Sequence, residues 1–331
     1  MKHVFVINSH TTFLTSMGTV DYLRLRDKDV IFLYKRNYRN QVTPVPFKVV
    51  EATEIANASR NVVVDYEGTV RKVDEFINQN IHDNYYLYVP HLWHFFFQLL
   101  YTNHKCRRVS YVQEGGPAQA GVYENDVPIS ERFRLFIRHA IFGRRIFECK
   151  WYKKGTLYKQ CSVDSYAIND KYFQYLPSRN HIVKWPVQKL QMTIDSRWPI
   201  FIFDGHVKNG LVESNIYLQA CKEIISQYGR EHNYVKFHPA QNQEERESIL
   251  TFFAESGHSV EPMTDNIPME YVIMQFKNLS FIGFTSSLLY YAHDYGHHVV
   301  CCEKKLTAMS ERYLEHVKTN GFQTYAQTYG E

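Results

Sequence analysis

The sequence predicts an α/β protein made of two Rossmann-like domains. In both halves of the 331-residue chain, short continuous apolar segments alternate with longer segments of helical pattern. Strands of this kind belong to parallel sheets that are covered by helices on both faces. A stretch with little periodicity, punctuated by Trp185-Pro186 and Trp198-Pro199, separates the halves. The predicted divisions are a first domain at 1–185, a linker at 186–199, a second domain at 200–305 and a helical tail at 306–331.

Two of the strands predicted in the first half lead into polar segments. The first strand leads into Asn8-Ser9-His10, and the fifth leads into Gln113-Glu114-Gly115-Gly116. An apolar segment at 92–101 is predicted as a core helix, since it is too short to span a membrane. Strands are predicted at 3–8, 29–34, 61–64, 85–90 and 109–112. Helices are expected between them, such as the one predicted at 70–78.

The second half repeats the alternation. Its predicted strands are 200–203, 234–239, 258–261, 279–284 and 297–302. Its predicted helices are 213–228, 243–256, 269–276, 288–292 and 306–317. Adjacent residues of a strand point to opposite faces, so His297 and His298 are not expected to bind one metal.

Composition excludes several function classes. The chain is 44% hydrophobic and 22% charged, with a net charge of +4, which is too mild and too dispersed for a typical nucleic-acid binder. It contains neither a GxGxxG motif nor a Gly-rich phosphate loop, which argues against dinucleotide enzymes and P-loop ATPases. Its six cysteines show no metal-binding spacing. We therefore expect a cytoplasmic protein with reduced thiols, whose mild positive charge fits anionic small molecules or an acidic membrane surface.

Polar residues follow two predicted strands of the second domain. Lys236 and His238 lie one residue apart on one face of a strand end, where ligands of parallel sheets collect. Thr285, Ser286 and Ser287 stand between another strand and a helix start, where hydroxyls and free N–H groups bind anions. Both segments predict a phosphate site, although a solvated strand end and an ordinary helix cap explain each of them when it is considered alone.

In the first domain, Glu114 is displayed at a strand end because Gly115 and Gly116 allow a sharp turn. A carboxylate so placed is a candidate general base, and a solvated turn residue is the alternative. His10 is a second candidate for contact with a ligand in the cleft between the domains, but a capping role at the first helix is favoured.

Taken in order, these segments resemble the bacterial sialyltransferases, notably the lipooligosaccharide sialyltransferases of glycosyltransferase family 52. The resemblance lies in Gln113-Glu114-Gly115, which is similar to the acidic-Gly motif, in His238-Pro239 and in Ser286-Ser287. Glu270 is similar to the family's ribose-binding glutamate. The chain departs from the family pattern at Gln113, which leaves Glu114 as the base.

The resemblance implies a GT-B fold, with two Rossmann-like domains facing a central cleft, and an inverting transfer that needs no metal or other cofactor. Glu114 would deprotonate a glycan hydroxyl, His238 would assist the departing phosphate, and Lys236, Ser286 and Ser287 would stabilise its charge. The implied donor is CMP-sialic acid, and the implied acceptor is a lipooligosaccharide or capsule glycan that can be lipid-linked.

Two alternatives stay open: a transferase for another CMP-keto sugar (Kdo, pseudaminic or legionaminic acid) and a catalytically silent sugar-binding protein. The Arg-rich segment 129–147 predicts an amphipathic helix. A solvated domain face is favoured for it, and peripheral contact with the cytoplasmic face of an anionic inner membrane is the alternative.

Overall fold

The computed structural model describes residues 1–36, 38–39, 44–115, 145–146, 163–173, 179–187 and 189–320. The chain separates into two compact units, Met1–Pro186 and Val187–Glu331. The first predicted linker residue, Pro186, closes the first unit. The rest of that segment packs on the second unit, where Leu190 exchanges two hydrogen bonds with the side chain of Gln275 and the Asp195 N–H donates to the Tyr234 hydroxyl at 3.2 Å.

The first unit contains a seven-stranded sheet in the order β3-β2-β1-β4-β5-β6-β7, and every described pairing in it is parallel. The strands are β1 Lys2–Ile7, β2 Val30–Tyr34, β3 Lys48–Glu51, β4 Tyr85–Val89, β5 Cys106–Val112, β6 Asp164–Ala167 and β7 Arg179–Ile182. The described helices of this unit are α1 His10–Tyr22, α2 Thr53–Ala58, α3 Tyr66–Asn80 and α4 Phe95–Thr102, with 3₁₀ turns at Asp27–Asp29 and Ser59–Val63.

The centre of this sheet is apolar and buried. Val4, Phe5 and Val6 of β1 are fully buried, and the Phe5 ring stacks on Tyr88 of β4 at 4.1 Å between centroids. The chain runs outward from β1 to β3 and then returns to β4 on the other side of β1. The carboxyl ends of β1 and β4 therefore form a topological switch point, where such sheets bind ligands.

The predicted strand at 61–64 is wrong. This segment forms the 3₁₀ turn Ser59–Val63, in which the Ser59 hydroxyl donates to the Ala56 carbonyl at 2.6 Å. Val64 is 92% exposed, so the apolar run does not mark a buried strand. The third strand is instead β3, which lies at the sheet edge and is mostly exposed, and its residues consequently lack the continuous apolar pattern of the central strands.

The second unit contains a five-stranded sheet in the order β10-β9-β8-β11-β12, whose described pairings are also all parallel. The strands are β8 Ile200–Phe203, β9 His232–Phe237, β10 Ser259–Pro262, β11 Ser280–Gly283 and β12 His298–Cys301. The helices are α5 Ser214–Tyr228, α6 Gln243–Glu255, α7 Met269–Gln275, α8 Ser287–Asp294, α9 Glu303–Met309 and α10 Glu311–Asn320. Here β8 and β11 form the switch point.

The C-terminal segment contains two helices rather than the single predicted helix at 306–317. Ser310 has extended backbone angles and separates α9 from α10. Leu306 and Tyr313, one from each helix, lie in the apolar core of the second unit. Each helix therefore presents a different side chain to this core.

The paired histidines separate as strand geometry requires. His297 is buried, with its ring between the Leu279 N–H and the Ile273 carbonyl, whereas His298 is exposed. Among the helices that the structure describes, none is long and apolar enough to cross a membrane. The two parallel sheets with their helices give the chain an α/β fold of the GT-B class.

Candidate functional site

Glu114 lies directly beyond the end of β5, beside residues that follow β1, β2 and β4. Its Oε1 accepts a short hydrogen bond from the Asn8 side-chain amide, and its Oε2 lies 3.5 Å from His91 Nε2. The Arg36 guanidinium is 3.8 Å from Oε1. Gly115 has a φ of +78°, which favours glycine and turns the chain immediately after the carboxylate. The predicted base therefore stands at the switch point of the first sheet.

Burial raises the pKa of the Glu114 carboxyl, while Arg36, the Asn8 hydrogen bond and Lys35 act to lower it. Only 13% of the side-chain surface is exposed. A carboxylate whose pKa is raised accepts a proton more readily near neutral pH, which suits a general base. The geometry is compatible with the role predicted for Glu114.

Gln113 has a structural role. It is fully buried, and its side-chain oxygen accepts the backbone N–H of Ile168 at 3.0 Å. Its own N–H donates to the carbonyl of Tyr166 in β6. An amide at this position supplies a neutral acceptor to a buried N–H, where a carboxylate would have to be buried with its charge.

The cap of α1 is Ser9 rather than His10. The Ser9 hydroxyl accepts the Thr12 N–H in a capping box, so the favoured capping role for His10 is wrong. The His10 ring contacts Tyr38, with Nδ1 3.1 Å from the Tyr38 hydroxyl. Gly116 and most of the Arg-rich segment 129–147 lie outside the described residues. Arg145, which belongs to that segment, forms two hydrogen bonds with Asp74.

In the second unit, the predicted hydroxyl residues lie beyond β11. Ser286 caps α8, since its side-chain oxygen accepts the Leu288 N–H at 3.4 Å. The Thr285 hydroxyl forms a short hydrogen bond with the Tyr313 hydroxyl, so its side chain is held against α10. Ser286 and Ser287 are half-buried at the helix start. This is the geometry that lets backbone N–H groups and hydroxyls receive an anion.

Asp204, directly after β8, is a site residue that the sequence analysis missed. Its Oδ2 accepts the Thr285 N–H at 3.4 Å, it is also hydrogen-bonded to Ser286, and it lies 3.6 Å from His206 Nε2. Burial raises the pKa of this carboxyl to about 7. The sequence pattern that could have identified Asp204 is an acidic residue between an apolar strand and Gly205, which is the same kind of pattern that identified Glu114.

His238 follows β9 directly and is exposed. Its Nδ1 accepts the Ala240 N–H at 3.0 Å. Because Nδ1 is an acceptor, the proton of the neutral ring is on Nε2, which is then a hydrogen-bond donor. Desolvation and the Arg246 charge lower the pKa of the ring, which favours this neutral form. A Cβ on Gly205 would lie 2.8 Å from Nδ1, so glycine is needed at that position.

Lys236 lies apart from the hydroxyl residues. Its ammonium donates to the Thr264 carbonyl at 2.7 Å and lies 3.5 Å from the Asp265 carboxylate. Burial lowers its pKa, and the charges of Asp265 and Glu270 oppose this effect. The structure thus groups Lys236 with Glu270, which is in the first turn of α7. Within the described ranges, no group of three His, Cys, Asp or Glu side chains could hold a metal ion.

No protein-family model matches the chain, and no curated protein matches it by sequence. Solved structures match over nearly its whole length. The spinosyn rhamnosyltransferase SpnG complexed with thymidine diphosphate has a TM-score of 0.50 at 9% identity, covering 96% of this chain and 91% of SpnG. The glycotransferase of kitacinnamycin has a TM-score of 0.50 at 10% identity, covering 99% of this chain and 92% of that one. These similarities show that the chain has a glycosyltransferase-like fold.

Proposed function

We propose that this protein is an inverting glycosyltransferase that moves sialic acid from CMP-Neu5Ac to a hydroxyl of a cell-surface glycan. The observation that carries the proposal is complementary chemistry at two switch points. The first sheet presents a largely buried glutamate with a raised pKa, and the second presents a histidine N–H and a helix start with two serines. Base, leaving-group donor and phosphate site are the parts that an inverting transfer without a metal needs.

These residues have separate roles in the proposed reaction. The Glu114 carboxylate takes the proton of the acceptor hydroxyl, whose oxygen bonds to the anomeric carbon of the sugar. The bond between that carbon and the phosphate oxygen breaks with its electron pair, which leaves CMP. The Nε2–H of His238 donates a hydrogen bond to the departing phosphate, while Ser286, Ser287 and the N–H groups of the α8 start stabilise its charge.

Lys236 and Glu270 are assigned to the donor as well. In this proposal Glu270 binds the ribose. Lys236 supplies positive charge to the donor when Asp265 is displaced from it, and otherwise stays paired with Asp265. The fold supports a nucleotide-sugar donor, because SpnG was solved with thymidine diphosphate. The choice of CMP follows from the motifs at Glu114, His238 and Ser286-Ser287. The cell location that fits this chemistry is the cytoplasm, where CMP-sugars are used on the inner membrane face.

Two other functions remain as outcomes of the test. Another CMP-keto sugar, such as Kdo, pseudaminic or legionaminic acid, shares the leaving group and the carboxylated anomeric centre. A silent sugar-binding protein would bind CMP without releasing it from a donor. The hydrogen bond between Glu114 and Asn8 favours an enzyme, since it orients a carboxylate at the switch point.

The experiment is donor hydrolysis by the purified protein, because CMP release requires no knowledge of the acceptor. CMP-Neu5Ac, CMP-Kdo and a UDP-sugar are compared, with His238→Ala as the inactive reference. Release from CMP-Neu5Ac that is lost in the variant supports the proposal. Release only from CMP-Kdo changes the proposed donor to CMP-Kdo. Release only from the UDP-sugar overturns the proposed use of a CMP-sugar.

A further inference from the structure

The Lys35 side chain is a buried cation next to the proposed base. Lys35 follows β2, and only 3% of the residue is exposed. Its ammonium lies 4.8 Å from the centroid of the Phe97 ring. Within the described part of the chain, no carboxylate oxygen lies within 4 Å of this ammonium. Burying an ammonium without a paired anion costs folding free energy, so a role in binding explains the lysine better than packing does.

The charges around Lys35 are predominantly positive. Burial and the charges of Arg36 and Arg60 lower the pKa of the ammonium to about 7, and Glu114 is the only described residue that acts to raise it. The nearby histidines are neutral and neither add to the positive charge nor balance it, because burial and these cations lower the pKa of His94 to about 3 and that of His91 well below its usual value. Among the described residues, the charges that act on Lys35 are thus two guanidinium groups and one carboxylate.

A role limited to keeping Glu114 ionised does not account for this arrangement. The Arg36 guanidinium, 3.8 Å from the carboxylate and 56% exposed, already supplies a partner for that charge. The net effect of the surroundings nevertheless raises the pKa of Glu114, because burial outweighs the nearby cations. Lys35 is left with positive charge that an incoming anion would balance.

We propose that Lys35 and Arg36 bind an anionic group of the acceptor, a carboxylate or a phosphate, so that the acceptor is an acidic sugar. This inference rests on the proposed function, in which Glu114 receives the acceptor hydroxyl. Trp93, which is 51% exposed and lies 5.8 Å from His91 between ring centroids, supplies a flat surface for the sugar ring.

The test uses three sugars that share one ring and differ at C6: galactose, galacturonic acid and galactose 6-phosphate. Their dissociation constants for the full chain are measured by ligand-observed NMR in the presence of CMP. The wild type is expected to bind one anionic sugar about tenfold or more tightly than galactose. Preference for galacturonic acid identifies a carboxylate, and preference for the phosphate identifies a phosphorylated acceptor.

Lys35→Met is expected to abolish the preference, because methionine fills the space without the charge. The matched control is Lys222→Met, which removes another lysine that lies over a ring, 5.3 Å from the centroid of Phe252 in the second unit. The control should retain the preference. Equal binding of all three sugars by the wild type, undetectable binding included, or an unchanged preference in Lys35→Met overturns the inference.

Two further measurements separate a binding role from a structural one. Carbon-13 NMR of the lysine ε carbons should show a group with a midpoint of about 7 that moves to higher pH when the anionic sugar binds. The other described groups that interact electrostatically with it are Arg36, Arg60, Glu114, His91 and His94. Unfolding of Lys35→Met should occur at the wild-type temperature or above it, and a folded variant that still prefers the anion contradicts the assignment.

The same samples are assayed for CMP release from CMP-Neu5Ac and from CMP-Kdo. Release without an anionic preference overturns this inference alone. An anionic preference without release from any CMP-sugar overturns the proposed function and leaves the anion site in place.

Discussion

The Asp204 carboxylate accepts the backbone N–H of Thr285 at 3.4 Å, at the helix start proposed for the leaving phosphate. It is also hydrogen-bonded to Ser286. A carboxylate of the chain thus uses donors that would serve the phosphate, and two negative charges at this place would repel each other. Binding of CMP is consequently easiest when Asp204 is neutral.

The first prediction concerns the pH dependence of the free energy of unfolding. The pKa of the Asp204 carboxyl is raised to about 7, so between its usual value and 7 the folded state holds a proton that the unfolded state has lost. This contribution to stability is fully present below the usual pKa of an aspartate, about 4, and is lost as pH rises from there to 7, by about 4 kcal/mol in total, of which about two thirds falls between pH 5 and pH 8. Asp204→Asn should flatten the decline, as measured by urea unfolding at pH 5 and pH 8.

The control for Asp204→Asn is Glu255→Gln, which removes an exposed carboxylate paired with Lys222 in the same unit. Its pH dependence should match that of the wild type. The raised pKa is wrong for Asp204 if Asp204→Asn and the wild type lose the same stability between the two pH values.

The second prediction concerns the leaving group. His238→Ala removes the Nε2–H donor and should lower the rate of transfer by about two to four orders of magnitude, the usual scale for such a group. The control is His232→Ala at the start of the same strand, where the ring contacts Ser259 at 2.5 Å. Rates from a transfer assay are compared after circular dichroism has confirmed the fold. Near-normal transfer by His238→Ala removes this residue from the mechanism.

Much of the fold could be predicted because the central strands are continuous apolar runs. β1, β2, β4, β8, β9 and β11 lie where the pattern placed them, give or take two residues. The edge strands β10 and β12 of the second sheet were also predicted within one residue, but β3, β6 and β7 of the first sheet could not be found in this way. β6 contains Asp164 and Ser165, and β7 contains Arg179, Asn180 and His181, since those strands satisfy their backbone groups through neighbours without a fully apolar sequence.

The site was predictable where a motif marks it and not where packing creates it. Glu114, His238 and Ser286 all lie at strand ends, as expected. Lys35 was missed because a lysine that follows a strand is usually solvated. Its burial depends on Phe97, which is distant in sequence. Lys236 was expected to face the phosphate with His238, but Thr264 and Asp265 of the next loop hold its ammonium.

The third prediction concerns metal dependence. The proposed mechanism assigns the charge of the leaving phosphate to His238 and to the donors at the start of α8. Transfer is therefore expected to continue in excess EDTA at an unchanged rate. Loss of activity in EDTA that Mg²⁺ or Mn²⁺ restores contradicts this assignment, whereas loss that no ion restores points to an effect of the chelator on the assay.

The last prediction separates the base from the phosphate site. Glu114→Gln keeps the shape of the side chain and the acceptor for Asn8 but removes the basicity, so transfer should fall by about two to four orders of magnitude. CMP affinity should stay within a few-fold of the wild type, because Glu114 is not assigned to the nucleotide. Glu51→Gln, which alters a carboxylate on the edge strand of the same sheet, is the control.

Changing Ser286 and Ser287 together to alanine should act in the opposite way. CMP binding should weaken by about 1–3 kcal/mol through lost hydrogen bonds to the phosphate. The loss of the Ser286 cap should also lower the free energy of unfolding by about 1 kcal/mol. Calorimetric titration of CMP and a transfer assay on both variants distinguish the two roles. Wild-type transfer by Glu114→Gln would show that another group, or the substrate itself, takes the proton, because the buried carboxylate is the only group to which this mechanism assigns it.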